Sequence, residues 1–181
     1  MQSSIPNCTL DEFQAFNTKT NRLPKSISFR PIRENDKDFL CRLYATTRAD
    51  EMAMVPWSEK EKSEFLSMQF NAQHQYYHGQ FSDADFLIIS QDAATIGRVY
   101  IQRRVDEIRL IDIALLPEHR GSGLGTQLLN ELLLEAEQKQ LPVRIHVEHF
   151  NPALRLYERL GFQQIEDQGV YYLMEWNSDA W

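Results

Sequence analysis

Cysteine is scarce in this sequence, since the 181 residues include only Cys8 and Cys41. The two lie far apart and outside any Cys-x-x-Cys pair, which argues against a disulfide framework or a zinc ribbon. The chain also lacks a run of about 20 apolar residues, the length that a membrane span requires. Its first residues lack the basic-then-apolar order of a secretory signal peptide. These absences predict a protein of the reducing cytoplasm.

Positive charge is in the minority. Lysine and arginine number 19 against 26 aspartates and glutamates, and the formal net charge is −7. Such a surface repels nucleic acid and anionic lipid, so we expect neither as a principal partner. It is compatible with a cationic amine as substrate, although many acidic proteins are acidic only for solubility. The length suits a single domain that needs no disulfide or metal, and we expect a monomer or a homodimer.

Hydrophobic periodicity divides the chain into a polar extension, residues 1–24, and one folded domain, residues 25–181. The pattern predicts strands at 26–32, 86–90, 96–103, 108–115, 143–147, 162–166 and 170–176. Helices are predicted at 34–49, 58–79, 122–139 and 152–160. The order β-α-α-β-β-β-α-β-α-β-β predicts an α/β (α+β) fold, in which four helices flank a mixed, mostly antiparallel sheet of about seven strands.

The second predicted helix opens with a capping-box pattern, Ser58-Glu59-Lys60-Glu61, and is expected to end at Gly79. Its apolar stripe is predicted at Phe65, Met68, Ala72 and Tyr76. His74 and His78 lie one turn apart on this helix, a spacing that can bind a metal. The glutamate of His-Glu-x-x-His and a third ligand are missing, however, so we expect two exposed histidines and no metal.

A glycine-rich loop, Arg120-Gly121-Ser122-Gly123-Leu124-Gly125, connects a predicted strand with a strongly amphipathic helix. A helix start exposes unpaired backbone N–H groups and the positive end of the helix dipole, about half an elementary charge. From Gly121 to Thr126 there is no proline, so each residue can donate a backbone hydrogen bond, and the glycines let an anion approach closely. Arg120 adds a forked cation that suits phosphate oxygens, and we expect Leu124 to point into the core. The loop therefore predicts a phosphate-binding site.

Other phosphate-binding loops have different spacings. The dinucleotide fingerprint needs Gly-x-Gly-x-x-Gly in a parallel βαβ unit, whereas this loop reads Gly-x-Gly-x-Gly after an antiparallel meander. A P-loop needs Gly-x-x-x-x-Gly-Lys followed by serine or threonine, and no lysine lies here. A turn that merely connects the strand to the helix remains the alternative.

A second motif follows at residues 151–162, where Asn-Pro-Ala-Leu-Arg-Leu-Tyr-Glu-Arg-Leu-Gly-Phe gives a helix cap at Asn151 and a helix end at Gly161. Together the loop and this motif resemble the GCN5-related N-acetyltransferase (GNAT) superfamily, over residues 26–176. The resemblance implies the GNAT fold, no metal, and acetyl-CoA as co-substrate with its pyrophosphate at residues 120–126. It implies direct transfer of the acetyl group to a primary amine of a small molecule, an amino acid derivative, a peptide or a protein.

The resemblance also implies roles for residues around the loop. Ile113, Ala114 and Leu115 offer main-chain groups to the pantetheine and the thioester, where N–H donors can stabilise an oxyanion. Asn151 is implied as a further contact of the cofactor. Tyr157 matches the tyrosine that protonates the coenzyme A thiolate in many members. Its alternative role is packing, because it lies on an apolar helix face.

The proton acceptor is less defined. Some family members carry a glutamate on the strand before the Asn-capped helix, where this chain has His146, which titrates near neutrality. Glu148, Asp112, Glu107 and a chain of water molecules are the alternatives, and Asp112 is also expected at the acceptor site. Freeing a lysine amine of pKa ~10.4 at pH 7 costs roughly 4–5 kcal/mol, whereas an α-amine of pKa ~7.8 costs ~1 kcal/mol. An α-amine could therefore react with a modest base.

In this fold the loop between the first two helices often lines the acceptor site, which makes Trp57 a candidate wall residue. The run Pro56-Trp57-Ser58-Glu59-Lys60 is similar to one in the bacterial ribosomal-protein alanine acetyltransferases, over this short run only. Trp57 could equally staple the helix that follows.

Two other functions stay open at this point, a sensor that binds acyl-CoA without turnover and an interaction module that has lost cofactor binding.

Overall fold

The computed structural model of the chain describes residues 23–24 and 26–178. In this described part, seven strands form one sheet. The strands are β1 (Ile27–Pro31), β2 (Asp85–Gln91), β3 (Ala94–Arg103), β4 (Ile108–Leu115), β5 (Val143–Glu148), β6 (Gln163–Asp167) and β7 (Tyr171–Trp176). The α-helices are α1 (Lys37–Thr47), α2 (Ala49–Ala53), α3 (Glu59–Gln80), α4 (Leu124–Lys139) and α5 (Leu154–Arg159). Short 3-10 turns, Glu34–Asp36 and Pro117–His119, precede α1 and the loop before α4.

The sheet is mixed and mostly antiparallel, as predicted. Its strand order is β1-β2-β3-β4-β5-β7-β6, and the one parallel pair among the described strands is β4 with β5. This parallel pairing joins Ile108–Leu110 to Val143–Ile145 and extends no further. The later residues of β4 pair with β3, and those of β5 pair with β7, so the two strands diverge. A gap therefore opens between their carboxyl ends.

The main core lies between the sheet and α4. Leu128, Leu129 and Leu132 of α4 are almost completely buried against residues of β3, β4 and β5. Burial of each such side chain contributes roughly 1.5–3 kcal/mol to folding. Leu23 also packs into this core, with 4% of its surface exposed. The rest of the predicted extension, residues 1–22, lies outside the described residues.

Helix α3 begins as predicted but buries a different face. Ser58 caps it, since the Ser58 Oγ accepts a hydrogen bond from the Glu61 N–H and the Glu61 carboxylate accepts one from the Ser58 N–H. The predicted stripe is wrong, because Met68 and Tyr76 are 61% and 59% exposed while Leu66 and Phe70 are buried. The predicted end is also wrong, since α3 continues through Gly79 to Gln80.

The reason for the shifted face of α3 lies in α1. Leu66 and Phe70 form a second, smaller core cluster with Leu40 and Tyr44 of α1 and with Ile88 of β2. Helix α3 has apolar residues on more than one face, and the position of α1 decides which of them becomes buried. Among the described helices, none combines the length and apolar character that would let it cross a membrane.

Candidate active site

The gap between β4 and β5 is the floor of a cleft of about 820 Å³. Its walls are the second half of β4, the glycine-rich loop, the end of β5, the start of α5 and the end of α1. The cleft brings together most of the predicted site residues: Asp112, Ile113, Ala114, Leu115, Arg120, Gly121, Gly123, Gly125, Thr126, His146, Asn151 and Tyr157.

The glycine-rich loop presents bare backbone to the cleft. Gly121 and Gly123 have φ angles of +71° and +86°, a left-handed conformation that side chains disfavour. A Cβ atom added at either position would meet only open space, so the loop surface is free for a ligand. Within the described residues, no backbone carbonyl accepts a hydrogen bond from the N–H groups of 121–126, and the first bonded amide is Gln127 N–H to Gly123 O at 3.0 Å. This arrangement fits the pyrophosphate of coenzyme A.

The three side chains of this loop do different things. The Arg120 guanidinium donates to the carbonyl oxygen of Leu115 and to the Thr46 Oγ1 at the end of α1, both at 2.7 Å. Ser122 Oγ donates to the carbonyl of His119 at 3.1 Å. Leu124 is buried in the main core, as predicted. Ser122 and Leu124 are not among the residues that line the cleft.

The end of β4 offers the main chain that the sequence predicted. Ile113 and Ala114 pair with β3 on one side and face the gap on the other. Gly97 of β3 lies opposite Leu115, and a Cβ there would collide with the carbonyl oxygen of Ala114. Gly97 therefore fixes the spacing of β3 and β4 under the site. A glycine inside a strand pattern is the sequence signal that could have indicated this close backbone approach.

Asn151 caps a turn that leads into α5. Its Oδ1 accepts from the Ala153 N–H at 2.9 Å and its carbonyl from the Leu154 N–H at 3.0 Å. The helix consequently begins at Leu154, two residues later than predicted. Its end is as predicted, since Gly161 has a φ of +93°.

Tyr157 lies on the inner face of α5 and reaches the cleft. It is 3% exposed and packs edge-on against Phe162, with 5.5 Å between ring centroids. Burial, with a further contribution from the nearby Asp112 charge, raises the pKa of Tyr157 above its usual range. The phenol is therefore protonated at neutral pH, which is the state that a proton donor requires.

Asp112 lies on the floor of the cleft and is held by a buried arginine. The Arg98 Nη2 donates to Asp112 Oδ2 at 2.7 Å and to Gln73 Oε1 at 3.1 Å. Arg98 is 2% exposed, and its guanidinium lies 5.2 Å from the centroid of the Tyr100 ring. The charge of Asp112 is thus compensated. Apart from its place in a predicted strand, no sequence pattern marks Arg98 as a site residue.

Glu148 lies at the opposite wall of the cleft and binds Arg48, which follows α1. The two side chains form a bidentate ion pair with distances of 2.8 and 2.7 Å. Arg48 also contacts Glu51 of α2 at 2.9 Å. The hydrogen bond to Glu148 raises the pKa of Arg48 above its usual range. This pair connects the helical layer to β5 across the mouth of the cleft.

His146 also faces the cleft, and its Nδ1 lies 3.0 Å from Nη1 of Arg109. Burial and, after it, the Arg109 charge lower the pKa of His146. Glu107, the remaining alternative base, is 2% exposed and bound by Arg104, Arg109 and Arg144. It is not among the residues that line the cleft.

Trp57 is not among the cleft-lining residues either. Its ring packs edge-on against Phe65 of α3, with centroids 5.1 Å apart, which favours the stapling role.

His74 and His78 contact each other with ring centroids 4.4 Å apart, and His78 stacks on Phe86. In the described ranges, no group of three or more His, Cys, Asp or Glu side chains could hold a metal ion.

Comparison with known proteins agrees with this geometry. The family model for the acetyltransferase (GNAT) domain matches residues 82–164. The [ribosomal protein bS18]-alanine N-acetyltransferase of Haemophilus influenzae is 29% identical over 120 residues, which are 66% of this chain and 73% of that protein. The enzyme of the same name from Escherichia coli is 31% identical over 119 residues, which are 65% of this chain and 71% of that protein. The chain belongs to the GNAT acetyltransferase family.

Solved structures show the same fold. The PaiA N-acetyltransferase of Thermoplasma acidophilum in complex with coenzyme A has a TM-score of 0.61 at 21% identity, covering 84% of this chain and 99% of that one. Naa50 of Arabidopsis thaliana, in complex with the bisubstrate analogue CoA-Ac-MVNAL, has a TM-score of 0.52 at 16% identity, covering 84% and 99%. The predicted GNAT fold is confirmed. This GNAT domain is an N-acetyltransferase whose acetyl donor is acetyl-CoA.

Proposed function

We propose that this acetyltransferase modifies the α-amine at the N-terminus of a protein or peptide. The observation that carries the proposal is that every carboxylate lining the described cleft is bound by an arginine, Asp112 by Arg98 and both Glu51 and Glu148 by Arg48. Each of these carboxylates already accepts hydrogen bonds from a guanidinium, so none of them is a wholly free acceptor aimed at a substrate amine. An α-amine suits such a site, since deprotonating it at pH 7 costs ~1 kcal/mol against roughly 4–5 kcal/mol for lysine.

The names of the relatives support the same acceptor class. The matched enzymes of Haemophilus influenzae and Escherichia coli are named for N-acetylation of an alanine in a ribosomal protein. The only nitrogen of an alanine residue is its backbone nitrogen, which is an amine only at a chain terminus. The names of the relatives and the paired carboxylates both favour a protein or peptide α-amine over a small-molecule amine.

At the donor end, the backbone N–H groups of residues 121–126 bind the pyrophosphate, and Arg120 supplies a cation next to it. The main chain of Ile113, Ala114 and Leu115 holds the pantetheine and polarises the thioester carbonyl, and Asn151 borders the same arm. Acetyl-CoA supplies the acetyl group as an activated thioester.

At the reacting centre, the amine nitrogen forms a bond to the thioester carbonyl carbon and the carbon–sulfur bond breaks. Tyr157 donates its phenolic proton to the departing sulfur, and the amine's proton passes to water. Asp112 lies on the floor beside Tyr157 as a proposed acceptor-site residue. We assign no acceptor contact to Trp57.

A matched pair of peptides tests the proposal. One peptide has a free N-terminal alanine and acetylated lysines, and the other has the same sequence with a blocked N-terminus and free lysines. We expect thiol release with the first peptide at pH 7 to exceed that with the second by about 100-fold or more in kcat/KM, as the fractions of neutral amine require. Equal turnover of both peptides would overturn the α-amine assignment. Coenzyme A binding without turnover on any amine would favour the sensor function instead.

A further inference from the structure

The contact between Arg109 and His146 determines the protonation pattern of the imidazole. A guanidinium has only donors, so the His146 Nδ1, 3.0 Å from Arg109 Nη1, has to accept the hydrogen bond. A neutral imidazole that accepts at Nδ1 carries its proton on Nε2. Turning the ring over would place a C–H against the guanidinium and lose the bond. The lone pair of His146 therefore points at Arg109.

His146 lines the cleft close to the turn between β6 and β7. The Gln168 side chain in this turn acts to raise the pKa of His146, against the lowering by burial and by Arg109. The Gln168 amide nitrogen donates to Glu166 Oε2 at 3.0 Å.

The Arg109 guanidinium is held by the carboxylate of Glu107. Its Nε and Nη2 donate to the carboxylate of Glu107 at 3.0 and 3.2 Å, and that carboxylate is buried. Arg104 and Arg144 bind the same carboxylate, and Arg144 is in turn bound by Glu175. The charged groups that act on His146 are Arg109 and Glu107 next to it on the β4 side and Glu166 of β6. Arg109 is the one that touches the ring.

We propose that His146 is a positioning residue and not the proton acceptor of the reaction: Arg109 holds it in one neutral form, and its Nε2–H serves as a hydrogen-bond donor at the wall of the cleft. A base needs a lone pair aimed at its substrate, and the only lone pair of this ring is occupied by Arg109. The nitrogen on the other side is a donor. This inference rests on the proposed acetyl transfer for its role, but the protonation pattern that it assigns can be measured without any acceptor.

The first test is the ¹⁵N NMR spectrum of the imidazoles in the whole protein at pH 7, with His146→Gln used to identify the signal among the five histidines. We expect an unprotonated, hydrogen-bonded Nδ1 and a protonated Nε2 for His146. Arg109→Met should remove this preference and produce a mixture of the two neutral forms. A protonated Nδ1 in the parent protein, in either a neutral or a charged ring, would overturn the proposal whether or not the enzyme acts on peptides.

The second test separates positioning from proton transfer. Glutamine can place an amide N–H near the position of Nε2, so His146→Gln should stay within about 5-fold of the parent in kcat/KM for the acceptor. His146→Ala should lose about 10-fold, mostly through a higher acceptor KM, which is the size of one hydrogen bond. The acidic limb of the pH–rate profile should be the same in all three proteins. A loss of about 100-fold in both variants, with a changed acidic limb, identifies His146 as the base and overturns the proposal.

Discussion

The two ends of the cleft are built in different ways. The proposed donor end is a single stretch of backbone, residues 121–126, whose N–H groups have no backbone partner in the described structure and whose glycines leave them accessible. The acceptor end consists of side chains brought together from distant parts of the chain, as in the pair of Arg48 with Glu148, which are 100 positions apart. The donor site is therefore encoded locally, and the acceptor site is encoded by the fold.

The difference has an electrostatic consequence. Backbone N–H groups do not titrate, so the donor end offers a fixed partial positive charge whatever the acceptor. The acceptor end is set by arginines that pair with carboxylates, Arg98 with Asp112 and Arg48 with Glu148. Removing one member of such a pair leaves a partly buried charge without its partner, which is destabilising. Substitutions at the two ends should therefore alter different kinetic constants.

The largest effect is expected where the two ends meet, at Tyr157. Tyr157→Phe removes the phenolic proton donor while keeping the buried ring in its contact with Phe162. We expect kcat to fall by about 100-fold or more, since general acid catalysis contributes factors of that size. Coenzyme A affinity, measured by calorimetry, should change by less than about 3-fold, because no cofactor-binding backbone is altered.

Leu156→Met, a change of similar volume at a neighbouring position of α5, is the matched control for packing and should leave kcat close to the parent value. If Tyr157→Phe retains full kcat, the Tyr157 hydroxyl is not the proton donor and Tyr157 only packs against its neighbours.

The next effect is expected at the donor end alone. In the double variant Gly121→Ala and Gly123→Ala, both alanines would have to adopt left-handed backbone at about 1–2 kcal/mol each. The free loop of the variant can relax out of this conformation, whereas the bound loop has to keep it. The strain therefore opposes binding, and the dissociation constant of coenzyme A should rise by about 30-fold or more. Acceptor KM at saturating donor should stay near the parent value.

Gly79→Ala is the control for this pair, since Gly79 lies inside α3 with open space around it and an ordinary φ. It should stabilise the protein slightly, by about 0.5–1 kcal/mol, without changing coenzyme A affinity. Unaltered binding in the double variant would show that the cofactor does not use this loop conformation.

The sequence predicts the donor end from a continuous signal. Strand, glycine loop and helix follow one another within residues 108–139. The strands of the fold were also predicted, and their observed ends differ from the predicted ones by only a few residues. The periodicity and the turn residues of such segments determine the element locally, and tertiary contacts change only where it begins and ends.

The acceptor end was not predictable in the same way. Arg48, Arg98 and Arg109 occur in ordinary helical or strand patterns, and nothing local distinguishes them from solvent-exposed arginines. Their partners are fixed only when α1 is laid against the sheet and β3, β4 and β5 are in register. The prediction of the buried face of α3 was wrong for the same reason, since packing against α1 determines which apolar residues of α3 are buried.

A smaller effect is expected at the acceptor end. Arg48→Met leaves Glu148 without its bidentate partner and loosens the link from α1 to β5. We expect acceptor KM to rise by about 10-fold, equivalent to the loss of one charge-assisted interaction, with coenzyme A affinity within about 2-fold of the parent. Steady-state kinetics with a peptide that carries a free α-amine measures both.

The double variant Arg48→Met and Glu148→Gln tests whether the pair acts as a unit. If it does, the combined effect is smaller than the sum of the two single effects. Glu51→Gln is the matched control, because Glu51 binds the same arginine from a position 58% exposed and should contribute little. Strict additivity would mean that the ion pair is not what shapes the acceptor end.

The smallest effect is expected at Trp57, which the sequence assigned either to the acceptor wall or to the start of α3. The tryptophan packs on Phe65 and is 42% exposed, so Trp57→Ala should lower the stability by about 1 kcal/mol and Tm by about 2–4 °C. Ser58→Ala, which removes the cap of the same helix, should produce a loss of similar size. Neither change should alter acceptor KM. A raised acceptor KM in Trp57→Ala alone, at unchanged Tm, would place the tryptophan in the acceptor site and extend that site to the loop before α3.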